Sequence, residues 1–221
     1  LVTGWPAFFL DSFNDASKMR NSSRHPQTGE VISFRLPTIA ESISVVAYKF
    51  VELIKSRPLA HYWLNLGLIV RTPEGIIANP SVNDVLGQIT DASLKRQIDT
   101  ARRVNGIYLG DKDFGFAPFE SFKQGVQDCD TFTTGGLARI LQHTDGEQAW
   151  KLKIMASRRN YDRGVNVYAF GPTNEPSLKV VRLYSGRESD VLHEGKLIID
   201  GGFRDSNGYT FGILDSGKKH S

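Results

Sequence analysis

From Leu137 onward the chain breaks into short runs of alternating character, LARILQH, AWKLKIMAS, VNVYAF, LKVVRLY, KLIID and YTFGIL, each five to nine residues long. TDGE, RRNYDRG, GPTNEP, SGRESDVLHEG and DSNG separate them. Apolar and polar residues taking turns over such lengths, bounded by Gly, Asn, Asp and Pro, predict strands joined by turns in an antiparallel meander or sandwich.

Residues 1–110 read differently. WPAFFLDSFNDASKM sets Phe9, Leu10, Phe13 and Ala16 at helical spacing behind Pro6, which predicts a short amphipathic helix. VISFRL predicts a brief strand that Pro37 ends. Thr38-Ile-Ala-Glu41 has the spacing of a capping box, in which the Thr hydroxyl and the Glu carboxylate satisfy each other's backbone N–H groups. Ile39, Ile43, Val46, Phe50, Leu53 and Ile54 then carry a helix to about Lys55. HYWLNLGLIVR before the turn TPEG predicts a strand. Residues 81–104 predict two helical segments, one on Val82, Val85, Leu86 and Ile89, the other on Leu94, Ile98 and Ala101, with Asp91 as its cap. Arg102 and Arg103 suit the negative end of that second helix. A strand GIYLG follows.

The fold class is therefore α+β: N-terminal helices with a short strand or two, then a C-terminal antiparallel sheet. The expected division is a mainly helical lobe over 1–110, a Phe/Gly-rich connecting loop over 111–136 and an antiparallel β lobe over 137–221, an order also compatible with one continuous domain.

Composition narrows the classes. No apolar stretch reaches the roughly 18 to 20 residues of a membrane span. Cys129 is the single cysteine, which excludes an internal disulfide and a Cys-based zinc cluster and favours an intracellular or intravirion setting. The opening LVTGWPAFFLDSF, without Met or a basic leader, reads as a processed product or part of a longer chain. The net charge of +3 falls wholly within residues 1–110, a mild excess that suits weak attraction to acidic partners.

Four patterns carry candidate chemistry. Residues 151–164 hold five cations and one anion. Lys151, Lys153, Arg158, Arg159 and Arg163 suit phosphate, and Tyr161 offers a base a stacking surface, so the segment reads as a nucleic-acid or anion-binding hairpin. Phe114, Phe116, Phe119 and Phe122, with Phe132 beyond, are dense for an irregular segment; they either fill the core or form an interface. DVLHEGKLIID contains the Glu-x-Lys spacing of metal-dependent nucleases, with Asp190, Glu194 and Lys196 as the alternative catalytic set and Asp200 as a further oxygen donor. Cys129, between Asp128 and Asp130, has a neighbourhood that raises a thiol's pKa.

The five histidines show no metal-ligand spacing. Glycine-rich GDKDFGFAPF has acids where a phosphate would sit. No metal or cofactor is expected. With titratable groups scattered, the residues favour a non-enzymatic binding or assembly protein. Such a chain would be a subunit of a virion or other multi-subunit structure that associates with itself or another protein and touches nucleic acid. The alternative is a metal-dependent phosphodiesterase on the Glu-x-Lys strand.

Overall fold

The computed structural model describes residues 2–8, 23–24, 31–32, 34–35, 37–56, 64–80, 90–157, 164–185, 195–203 and 207–214. The elements in chain order are β1 (Val2–Phe8), β2 (Ser23–Arg24), β3 (Val31–Ile32), β4 (Phe34–Arg35), α1 (Ile39–Ser56), β5 (Leu64–Arg71), β6 (Gly75–Ala78), α2 (Asp91–Thr100), β7 (Arg102–Val104), β8 (Ile107–Leu109) and β9 (Gly115–Pro118). A 3₁₀ turn (Phe119–Ser121) leads to β10 (Gly125–Gln127), α3 (Cys129–Thr134), α4 (Gly136–Gln142), α5 (Trp150–Ala156), β11 (Val165–Tyr168), β12 (Ser177–Ser185), β13 (Leu197–Phe203) and β14 (Asn207–Leu214).

One large sheet runs in the order β10-β11-β13-β12-β5-β6-β9-β8-β7, with β14, β1 and β4 joined beside β5. Most pairings are antiparallel, while β11–β13 and β14–β5 are parallel. The α+β class holds. At the centre, β5 from the first half of the chain pairs with β12 from the second, Val70 facing Leu178 and Leu68 facing Val180.

Two apolar clusters sandwich this sheet. On one face, Ile39, Ile43 and Val46 of α1, Leu137, Ile140 and Leu141 of α4, and Leu152 and Met155 of α5 pack with Ile69, Ile76, Val181, Leu183, Val165 and Ile199. In the second cluster Leu94 of α2, with Ile98 beside it, joins Val70, Ile77, Phe114 and Phe116. Neighbouring residues of β5 and β6 thus serve different clusters, which explains why LIV and IIA are continuous apolar runs rather than alternating ones. Each fully buried Ile or Leu contributes about 1.5–3 kcal/mol.

Local signals are realised in detail. The Thr38 backbone N–H donates to Glu41 Oε2 at 2.9 Å, and the Glu41 N–H to Thr38 Oγ1 at 3.3 Å, so the capping box starts α1. In the TPEG turn Thr72 Oγ1 accepts from Glu74 N (3.2 Å) and Gly75 N (3.0 Å). β7 and β8 are joined by Asn105 (φ 47°) and Gly106 (φ 81°), the left-handed pair that a two-residue hairpin requires.

Several expectations are corrected. LARILQH and AWKLKIMAS form α4 and α5, not strands: Leu137, Ile140 and Leu141, and Leu152, Met155 and Ala156, fall three and four residues apart on one buried face. The N-terminal segment begins as strand β1, paired with β14, rather than as a helix; Phe9, Leu10, Phe13 and Ala16 lie outside the described residues, as do Val82, Val85, Leu86 and Ile89. The cap of α2 is Thr90, whose hydroxyl accepts from Ser93 N at 3.2 Å, while Asp91 is the first helical residue. Arg102 and Arg103 belong to β7 and do not close a helix. Within 111–136 the chain is largely ordered into β9, the 3₁₀ turn, β10 and α3.

Gly75 opens β6 against β9. A Cβ there would run into the Ala117 carbonyl oxygen and stand 2.6 Å from Phe116 Cε2. Because that oxygen belongs to a paired strand and cannot swing aside, Gly75→Ala is expected to lower the unfolding free energy by about 1–3 kcal/mol in urea titrations; an unchanged midpoint would contradict this packing.

Candidate functional site

Two surface features stand apart from the packed layers: the outer face of α5, and a cleft beside the β8–β9 hairpin. α5 starts where Gln142 Oε1 accepts from Lys151 N (2.8 Å) and Leu152 N (3.4 Å), a side chain standing in for the missing turn. With Leu152, Met155 and Ala156 turned inward, Trp150 remains 64% exposed and Ile154 43% exposed.

Lys151 and Lys153 would share one face of a strand. On α5 they instead leave the helix on either side of Trp150. Lys151 Nζ donates to Ser44 Oγ on α1 at 2.7 Å. One turn along from Ser44, Tyr48 is 83% exposed. Lys153 Nζ lies 2.7 Å from Asp130 Oδ1, 3.0 Å from Gln148 Oε1 and 5.7 Å from the Trp150 ring centroid. The bond to Asp130 holds the Lys153 ammonium above its ordinary pKa. Arg158, Arg159, Tyr161 and Arg163 lie outside the described residues; in the sequence they follow Ser157, the C-cap of α5.

The other candidates divide. Phe114 and Phe116 are buried in the smaller cluster, the Phe116 ring 5.7 Å from that of Tyr108. Phe119 and Phe122 are half-buried against the main cluster with centroids 6.0 Å apart, and Phe132 is inside it. These rings spend most of their apolar area within the chain. Asp190 and Glu194 lie outside the described residues, and half-buried Lys196 precedes β13. Asp200 is buried on β13, where its Oδ1 accepts from Gly202 N (2.8 Å) and its Oδ2 from the Tyr184 hydroxyl (3.2 Å). Its cross-strand partner is Arg182, 1% exposed, whose Nε donates to Asn65 Oδ1 at 3.2 Å. Burial lowers the Arg182 guanidinium to about 10, against the pull of Asp200, and burial together with Asp200 raises the Tyr184 phenol.

The hairpin site was not anticipated. β8 returns to β9 through Lys112 (φ 53°) and Asp113 (φ 64°), closed by Phe114 N to Asp111 O at 3.0 Å and Gly110 N to Phe114 O at 2.9 Å. Asp113 Oδ2 accepts from the Thr38 hydroxyl, and its backbone carbonyl from Asn79 Nδ2 at 3.0 Å. Asn79 Oδ1 in turn accepts from Ile39 N at 3.1 Å. Asp113 Oδ1 faces Nδ1 of His143 at 3.5 Å, and His143 Nε2 lies 2.9 Å from the Gly110 carbonyl oxygen. A carbonyl can only accept, so Nε2 carries a proton.

Asn79, Asp113 and His143, the last in the left-handed C-cap of α4, are all non-glycine residues at positive φ. Such backbone is sparsely populated and collects where surrounding contacts over-determine it. Beside this network opens a cleft of about 670 Å³ with Leu109, Phe114, Arg102, Lys112, His143 and Asp145 among its lining. Arg102 Nη2 lies 2.9 Å from Asp145 Oδ2 and holds that carboxyl below its ordinary pKa. The available signal was Lys-Asp at a hairpin tip where Asn-Gly is the usual solution.

Comparison with protein-family models found no match to this chain. Comparisons with curated proteins and with solved structures found none either.

Thr38 and Asp113 form the joint between α1 and the hairpin. A double-mutant cycle of Thr38→Val and Asp113→Ala, read by urea unfolding, is expected to give a coupling of about 1–2 kcal/mol; additive effects would dissolve the joint. Cys129 gives a pH test. Burial first, then Asp130, raises its thiol pKa. At pH 8 it therefore holds less thiolate than a free cysteine, and its alkylation by iodoacetamide should be slower and keep rising with pH beyond the point where free cysteine levels off. A profile matching free cysteine would contradict the buried setting.

Proposed function

We propose that this chain is a non-enzymatic binding protein, a component of a larger assembly, that offers α5 and the basic segment after it to single-stranded nucleic acid. The observation that carries this reading is the exposed indole of Trp150, with the Lys153 ammonium 5.7 Å from its centroid and Lys151 leaving the helix on its other side toward Ser44. An aromatic ring kept in water forgoes about 1.5–3 kcal/mol of burial. Beside these ammonium groups it becomes a surface on which a base stacks while the cations meet the flanking phosphates, an arrangement indifferent to base identity. Tyr48 offers a second exposed ring one turn along α1 from Ser44, the partner of Lys151, and the sequence directly beyond Ser157 adds Arg158, Arg159, Tyr161 and Arg163. The engagement of Lys153 with Asp130 moderates the affinity, since an ammonium already paired releases less on meeting phosphate.

Fluorescence anisotropy with a labelled oligothymidylate tests the reading. Binding should weaken steeply with salt, at about 0.7 logarithmic units per phosphate contact. Trp150→Ala should cost about 1–3 kcal/mol of affinity, and Arg158→Ala/Arg159→Ala should flatten the salt slope. Absence of binding at low salt, an unaffected Trp150→Ala variant, or equal uptake by vesicles of phosphatidylserine would each defeat the proposal, the last by giving the surface to anionic lipid.

A further inference from the structure

We infer that the cleft beside the β8–β9 hairpin is a binding site for a small zwitterion of the short-peptide class. It shares no residue with the α5 face and stands independently of the function proposed for that face. Its volume of about 670 Å³ falls within the roughly 300–1,000 Å³ typical of small-molecule sites. Leu109 and Phe114, both almost wholly buried, give it an apolar floor. Arg102 and Asp145, paired with each other at 2.9 Å, contribute an ion pair whose exposed edges face the cleft, and Asp111 and Lys112 at the hairpin turn contribute a further anion and cation.

The charges select the ligand class. A simple anion such as phosphate, drawn to Arg102 and Lys112, would have to approach Asp111 and Asp145 as well; a simple cation meets the converse problem. A molecule with a carboxylate, an ammonium and an apolar group between them satisfies both kinds of wall and covers the floor. His143 takes no chemical part, because its Nε2 proton is engaged by the Gly110 carbonyl. The site as built binds rather than reacts.

Backbone strain supplies the second line of argument. The preceding hairpin makes the same left-handed turn with Asn105 and Gly106, residues that adopt it readily. Here Lys112 holds φ 53°. The strain at Asp113 is offset by Thr38, Asn79 and His143, whereas Lys112 makes no hydrogen bond or ion pair with the described residues. A long side chain held by a left-handed turn at the rim of a cavity, exposed and without an internal partner, sets its ammonium where the carboxylate of a ligand can meet it.

The test is a ¹⁵N NMR titration of the full chain with leucylglycine, compared with N-acetyl-leucylglycine, leucylglycinamide and inorganic phosphate. Saturable shifts at Gly110, Lys112 and His143 are expected from the free dipeptide, with each blocked form bound about tenfold more weakly, as for loss of one charge-assisted contact. Lys112→Gly removes the strain together with the charge, so its melting temperature should rise while dipeptide affinity falls about tenfold. No saturable shift with leucylglycine, equal binding of phosphate, or full affinity in Lys112→Gly would overturn the inference.

Discussion

A helix laid across a sheet buries a first turn whose N–H groups have no partner inside the helix, and here that debt is settled at one joint. Thr38, Glu41 and Asn79 take or give the hydrogen bonds at the start of α1, and Asp113 reaches across from the hairpin to hold Thr38. With its start pinned, α1 can direct Ile39, Ile43 and Val46 onto the strands. Gly67 then matters as empty space, since a Cβ there would come within 2.6 Å of Ile39 Cγ1. Left-handed backbone costs about 1–3 kcal/mol per residue. A hydrogen bond to a charged group returns about 1.5–3 kcal/mol, so Asp113 offsets its own strain and ties three elements together in doing so.

The sheet interior follows a different rule. Asn65, Arg182 and Asp200 lie in register across β5, β12 and β13, and Tyr168 continues the row on β11. A guanidinium 1% exposed in the middle strand is tolerable only with partners beside it, because desolvating an unpaired charge costs several kcal/mol. The row therefore fixes register: slipping β12 by one residue would turn Arg182 into the apolar layer of Val181 and Leu183 and draw those residues away from their cluster. Apolar residues make this sheet stable, and the polar row makes its alignment specific.

Legibility in the sequence tracked the length and redundancy of each signal. Thr38-Ile-Ala-Glu41 combined a cap with a long amphipathic period, and α1 has the expected limits. Thr-Pro-Glu-Gly marked its turn just as plainly. Leu137–Gln142 and Trp150–Ala156 were too short for periodicity to decide, since KLKIMA alternates as well as it places Leu152, Met155 and Ala156 on one helical face. Their state is set by tertiary contact with α1 and the strands, which local pattern does not contain. Asp91 looked like a cap because it is acidic, but Thr90 stands one position earlier, where the extended backbone lets a side chain fold onto Ser93. The joint of Thr38, Asp113 and His143 was illegible for a simpler reason: its members are separated by long stretches of chain and meet only once the hairpin, α1 and α4 have docked.

The change of α5 from strand to helix alters the chemistry offered, not only the topology. Alternating residues on a strand place Lys151 and Lys153 side by side, a concentrated positive edge suited to any anion and strongly self-repelling. On the helix the two ammonium groups diverge, one to Ser44 and the other to Asp130, and the Trp150 ring lies 5.7 Å from the second. In the reading proposed above, this spacing is the basis for expecting a partner that alternates flat apolar rings with negative groups along its length, as a polynucleotide strand does, rather than a compact anion that would need both cations at once. The same three side chains are thus arranged differently because the core required a helix beneath them.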